Sequence, residues 1–170
     1  MRKALIVAAI ALSTIAAQPA AAADPNGDWM VENGSAIIRI AKCGDLYWGV
    51  VAWEREPGRD SANPDPAKRN RPTLGIPILL GLRTAGDNRW EGKVYNAQNG
   101  SLYMVRVGLA SQDALRIEGC IMGGLFCGGQ SWRRASVPGD QVAQTQGRGS
   151  GKGKSAAPGG VNVCAAAAHG

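Results

Sequence analysis

Along residues 101 to 121 the chain changes polarity at every second position. Ser101, Tyr103, Val105, Val107 and Leu109 share one face, and Leu102, Met104 and Arg106 share the other. Leu115, Ile117, Gly119 and Ile121 likewise oppose Arg116, Glu118 and Cys120. A period of two marks a half-buried β-strand, because successive side chains leave opposite faces. Shorter runs of this kind occupy 27–32, 35–41, 46–54, 88–95 and 125–134, separated by turn signals such as Asn33-Gly34, Gly86-Asp87-Asn88 and Asn99-Gly100. About seven or eight strands with close turns predict an antiparallel meander. Closing such a sheet on itself removes its edges, so the expected fold is all-β: a single small antiparallel up-and-down β-barrel of about eight strands. No sustained helical period follows residue 23, and there is no internal repeat.

The interior of a barrel this size is either filled by side chains or just wide enough for one small ligand. Strand phase points Trp90, Tyr103, Val105, Leu115, Ile117, Phe126, Gln130 and Trp132 inward. Trp90, Tyr103, Gln130 and Trp132 are therefore the candidate ligand-binding residues, and an inward Gln130 needs a hydrogen-bond partner. The five tryptophans, at 29, 48, 53, 90 and 132, are spread over four strands, which suits core and barrel-end packing.

One stretch interrupts the alternation. Residues 60–72, DSANPDPAKRNRP, combine Pro64, Pro66 and Pro72 with Lys68, Arg69 and Arg71. Asp60 and Asp65 sit among the cations, so the segment is not a single-sign patch for nucleic acid. Asn63-Pro64 and Asp65-Pro66 favour turns, and the prolines restrict the unfolded chain. The expectation is one long Pro-rich loop folded back on a barrel end or wall, with Asp60 or Asp65 bonded to Arg69 or Arg71, and Asn63 within it.

The termini set the domain limits. Residues 1–23 have a basic start, an apolar run from Ala4 to Ala17 and small residues before Asp24, the pattern of a secretory signal peptide. The run is shorter than the ~20 residues that span a bilayer, so the mature chain is expected to have no transmembrane segment. Residues 136–170, rich in Gly and Ala, bury too little apolar surface to offset their ordering entropy and are expected to be disordered. One barrel domain, 27–135, remains between them. The formal charge of +6 then loses its force, because the domain holds 14 basic against 11 acidic residues and the rest lies outside it. Without a recognition helix or a basic and aromatic stripe, no nucleic-acid partner is expected.

The four cysteines lie in a chain read as exported, to the periplasm or beyond, where disulfides form. A Gly123-Gly124 hairpin turn would set Cys120 opposite Cys127, about 4.5–5.5 Å apart at Cα and within reach of a bridge. Cys43 and Cys164 then either pair with each other or stay free. The single histidine, His169, lies at the C-terminus, so the domain offers no Ser-His-Asp triad, no cysteine–histidine pair, and no metal site or cofactor site of recognisable pattern.

Gly27-Asp28-Trp29 opens the first strand, and Ser131-Trp132-Arg133-Arg134 ends the last. The arrangement resembles that of lipocalins and calycins, which implies Trp29 and Arg134 as a barrel-closing pair joined by cation–π attraction. A longer ordered set carries a closer resemblance: Cys43-Gly44-Asp45, Asn63-Pro64-Asp65-Pro66, Arg69-x-Arg71-Pro72, Gly75-Ile76-Pro77-Ile78-Leu79, Trp90-x-Gly92, Tyr95, Gly100-x-x-Tyr103, Gly119-Cys120 and Trp132-x-Arg134. From Gly27 to Arg134 the chain resembles the secreted bacterial family of unknown function DUF 2147. The resemblance implies a calycin-like barrel and export, with no established activity. Trp48 stands where that family often has a second cysteine, which deprives Cys43 of a local partner, and Asn96-Ala97-Gln98-Asn99-Gly100 replaces its D-P-x-x-G turn.

These observations frame a non-enzymatic, monomeric exported barrel binding a small apolar or amphipathic molecule. The alternative is a cell-envelope protein-interaction module with a plugged barrel, and a hydrolase ranks third.

Overall fold

The computed structural model describes residues 24–121, 126–137 and 160–169. Eight antiparallel strands form a closed barrel in chain order. They are β1 (Gly27–Met30), β2 (Ala36–Cys43), β3 (Leu46–Glu54), β4 (Pro77–Thr84), β5 (Arg89–Asn96), β6 (Ser101–Ser111), β7 (Ala114–Ile121) and β8 (Phe126–Ala135). Closure comes from β1 pairing with β8, Trp29 opposite Arg134.

Alternation explains most of the core. Val105, Val107, Leu115, Ile117 and Trp132 are buried together with Trp29, Ile38, Ile40, Val51, Leu79, Leu82 and Trp90. Each such side chain contributes on the order of 1.5–3 kcal/mol when fully withdrawn from water. The outward positions of β6, by contrast, leave Leu102 and Met104 exposed. Register shifts between Ile37 and Ile38 let both isoleucines be buried, Ile38 in the barrel and Ile37 in a second small cluster with Ala52 and Val137. β4 breaks the period through a bulge at Gly81, whose φ of 59° keeps Leu79 and Leu82 both inside.

Residues 160–169 correct the expectation of a disordered tail over 136–170. They form a short helix, α1 (Val163–Ala167), capped by the Asn162 side chain accepting from the Ala165 N–H. The helix packs on β2, β3 and β4, and buries Val163. Cys164 is disulfide-bonded to Cys43 with 5.4 Å between Cα atoms, so of the two options left open the cysteines pair. The cross-link supplies what composition could not. A helix this short has almost no stability of its own, and the bond holds it at the barrel wall. Residues 1–23, where a signal peptide is expected, lie outside the described residues. So do the hairpin turn 122–125 and the side chains of Cys120 and Cys127, although their backbones pair directly.

Candidate functional site

Antiparallel pairing places the inward residues of β5 to β8 in cross-strand rows. One row reads Trp90, Val107, Ile117, Gln130. The next, toward the β5–β6 turn, reads Gly92, Val105, Gly119, Gly128. At Gly92 the glycine is filled in, since a Cβ would meet the Leu80 carbonyl oxygen at 2.8 Å and the Leu82 side chain at 2.9 Å. At Gly119 and Gly128 no atom of the described residues lies within 4 Å of where a Cβ would stand. Among the described residues, the inner wall is therefore notched on the β7–β8 side, above the buried Val107 and Ile117. β1 stops at Met30, opposite Arg133, so β8 runs on past its end beside the notch.

Of the four candidate ligand-binding residues, Trp90 and Trp132 are buried, Tyr103 is half-buried, and Gln130 is exposed. Gln130 thus departs from its expected burial. It shares the row of Ile117, but it stands at the open side of the notch, where its Oε1 accepts from the Trp132 indole N–H at 3.0 Å. The Tyr103 hydroxyl accepts from the Asn99 amide at 2.8 Å, beside the β5–β6 turn. Trp90 sets its ring edgewise on Tyr47, with centroids 5.8 Å apart. Its indole N–H is buried and meets no acceptor among the described residues, an arrangement that proteins seldom leave unfilled. The Phe126 side chain lies outside the described residues.

The opposite end is sealed. The Arg134 guanidinium lies 4.1 Å from the centre of the Trp29 ring. It also donates to the carbonyls of Asn26 and Gln112, each at 2.8 Å. The Trp29 indole donates to the Pro25 carbonyl at 2.8 Å. A cation–π contact of this kind stabilises by about 0.5–2 kcal/mol and here joins the first strand to the last.

The loop between β3 and β4 is held by a buried carboxylate. Asp60 is fully buried. Its Oδ1 accepts from the Tyr95 hydroxyl at 2.6 Å; its Oδ2 accepts from the Asn63 amide at 2.6 Å and from Arg71 at 2.9 Å. Burial alone would push this carboxyl up, but the three donors and the Arg71 charge outweigh it and hold it below the ordinary range. Burial and the neighbouring carboxylate push the Tyr95 phenol up. Asp65 takes no part in an ion pair among the described residues and instead caps the 3₁₀ turn Pro66–Lys68. Arg69 donates to the Asn63 carbonyl at 2.8 Å. The loop also presses on the β5–β6 turn, where a Cβ on Gly100 would stand 1.9 Å from the Ala62 carbonyl oxygen.

Residues 27–134 match the bacterial family described as "Uncharacterized protein conserved in bacteria (DUF2147)". The chain belongs to DUF2147. Among solved structures, this DUF2147 chain resembles protein HP1028 from the human pathogen Helicobacter pylori, which belongs to the lipocalin family. The TM-score is 0.62 and the identity 21%, over 71% of this chain and 88% of that one. At that identity the likeness shows the fold, a lipocalin-like barrel. No curated protein sequence matches the chain.

Sequence reasoning missed Tyr95 as the anchor of the DUF2147 loop. By strand phase it goes with the outward Glu91 and Lys93, yet it is buried because the loop lies over it. The available signal was an aromatic at the end of a strand, preceding a turn, in a chain whose longest loop carries the carboxylates Asp60 and Asp65. The glycine notch was legible only once the register was known, because Gly119 and Gly128 are nine residues apart and meet across the β7–β8 hairpin.

Proposed function

We propose that this DUF2147 protein is an exported, non-enzymatic barrel that binds a small apolar or amphipathic molecule in the notch at Gly119 and Gly128. One observation carries the reading: among the described residues, two facing glycines leave an unfilled space above an apolar floor, one row from a buried indole N–H without an acceptor. An apolar ligand body would cover Val107 and Ile117, and an acceptor atom on the ligand would satisfy Trp90. Gln130, on the open side, is placed to meet a polar end. The Cys43–Cys164 disulfide fits export, with the periplasm as destination.

A second reading, an envelope protein-interaction module, is favoured by Leu102 and Met104 side by side on the outer face of β6, 56% and 52% exposed, and by the side chains that fill the sealed end. Titration of the mature chain with the neutral fluorophore N-phenyl-1-naphthylamine separates the two. The ligand reading expects saturable enhancement that is lost when Gly119→Leu and Gly128→Leu fill the notch. Neither glycine has a positive φ, so both accept the change without backbone strain. Undiminished binding in the filled variant, or none in the native protein, contradicts it.

A further inference from the structure

The outer wall carries a second feature, unrelated to the notch. Register on β2 and β3 sets Cys43 opposite Leu46, Ala41 opposite Trp48 and Arg39 opposite Val50, all on the phase that leaves the barrel. Ile38, Ile40 and Val51, on the other phase, belong to the barrel core. The Leu46 and Trp48 side chains reach toward β4, where a Cβ on Gly81 would stand 3.7 Å from Leu46 and 4.0 Å from Trp48. Arg39 is the one charge in these rows, and it is paired with Asp28 at 2.7 Å. The wall is thus an apolar strip, and Val50 within it is fully buried although its phase is outward. Its cover comes from outside the barrel, and α1 packs on β2, β3 and β4.

A single covalent bond decides whether α1 stays there. Its five residues are too few to be helical alone. Val163 is its buried side chain, and withdrawing one valine from water falls short of the entropy lost in ordering the turn. The Cys43–Cys164 disulfide makes up the difference. Its two ends are not equally open: Cys164 is exposed, whereas Cys43 is half-buried at the end of β2. An incoming thiolate therefore reaches the Cys164 sulfur first.

We propose that Cys164 is a thiol–disulfide exchange site for a protein dithiol, and that exchange there releases α1 and opens the apolar strip at Leu46 and Trp48. The partner's first thiolate bonds to Cys164 Sγ, the Cys43–Cys164 bond breaks, and Cys43 leaves as a thiolate that takes a proton from water. The partner's second thiolate then bonds to its first sulfur and expels the Cys164 thiolate, which is protonated in turn. Two electrons and two protons pass to the cysteine pair, and the partner ends as a disulfide. A monothiol serves poorly, because Cys43, held beside the mixed disulfide, attacks it and restores the original bond. A second thiol within the reductant competes with that return as an intramolecular step.

The test uses the disulfide-bonded chain and a thioredoxin whose second active-site cysteine is replaced by serine, which traps the mixed disulfide. Peptide mapping is expected to find the trapped protein on Cys164; a trap on Cys43, or none, overturns the proposal. Intact thioredoxin should reduce the bond at a rate that urea, kept well below the unfolding midpoint, changes by no more than about twofold, since the barrel need not open. A rate that climbs with urea in step with unfolding marks a bond reached only through the unfolded chain, and overturns it. Reduced glutathione at equal thiol concentration should be slower by about tenfold or more; equal rates contradict the dithiol assignment. Release is read by hydrogen exchange. The amides of Ala165 and Ala166, which donate to Asn162, should lose protection on reduction and in Cys164→Ser while those of β5 to β8 keep theirs. Protection that survives in the reduced chain contradicts release.

Discussion

Replacing Tyr95 by phenylalanine removes one hydroxyl and keeps the ring that packs under the loop. That hydroxyl donates to Asp60 at 2.6 Å and accepts from Asn63 at 3.0 Å. Asp60 is fully buried, and its other donors, Asn63 and Arg71, both serve Oδ2. The substitution therefore leaves Oδ1 of a buried carboxylate without its donor. Hydrogen bonds to charged groups contribute about 1.5–3 kcal/mol, and no cavity is created, so the expected cost is about 2 kcal/mol. If the loop and barrel unfold together, the urea midpoint falls by about 1 M, since m for small domains is about 1–3 kcal/mol per M. If the loop opens locally, the midpoint holds and tryptic cleavage at Lys68 and Arg69 accelerates about 30-fold, because 1.4 kcal/mol is a factor of ten. Tryptophan fluorescence in urea and a timed trypsin digest read the two cases. A midpoint within about 0.5 kcal/mol of the native protein, the ordinary range for surface substitutions, together with an unchanged cleavage rate, would refute the reasoning.

Three further predictions use other parts of the structure. Because the Asp60 carboxyl is held low in the fold, its contribution is present above the unfolded value of about 3.9 and is lost as pH falls through the folded one; the stability gap between the native protein and Asp60→Asn, read from urea midpoints, should narrow from pH 7 to pH 3. Arg134→Ala removes the cation over Trp29 and two donors to carbonyls, and should cost about 1–3 kcal/mol in the same assay; Arg134→Lys should recover part of it. Reducing the Cys43–Cys164 bond, which spans 121 residues, should lower stability by about 2–4 kcal/mol, and a Cys43→Ser, Cys164→Ser variant should match the reduced protein.

The long alternating strands were legible because polarity on β6 and β7 changes in step with the pleat, and the closing Trp29 and Arg134 were legible through the family resemblance. β4 was not, since Pro-Ile-Leu-Leu-Gly-Leu does not alternate until the Gly81 bulge resets its phase. Gln130 and Tyr95 show the limit of phase as a guide to burial. Phase fixes which face a side chain leaves, while the neighbouring strand's length and the overlying loop decide whether water reaches it. The C-terminal segment was read from composition, and composition contains no information about a covalent tether to Cys43.

The claim that the notch holds a ligand is tested most directly by native mass spectrometry of the disulfide-bonded protein, purified without detergent and weighed before and after denaturing extraction. The account predicts a bound small molecule on the native chain that is released on denaturation and is absent from the Gly119→Leu, Gly128→Leu variant. An apo mass for the native protein, or the same adduct on the filled variant, would contradict it.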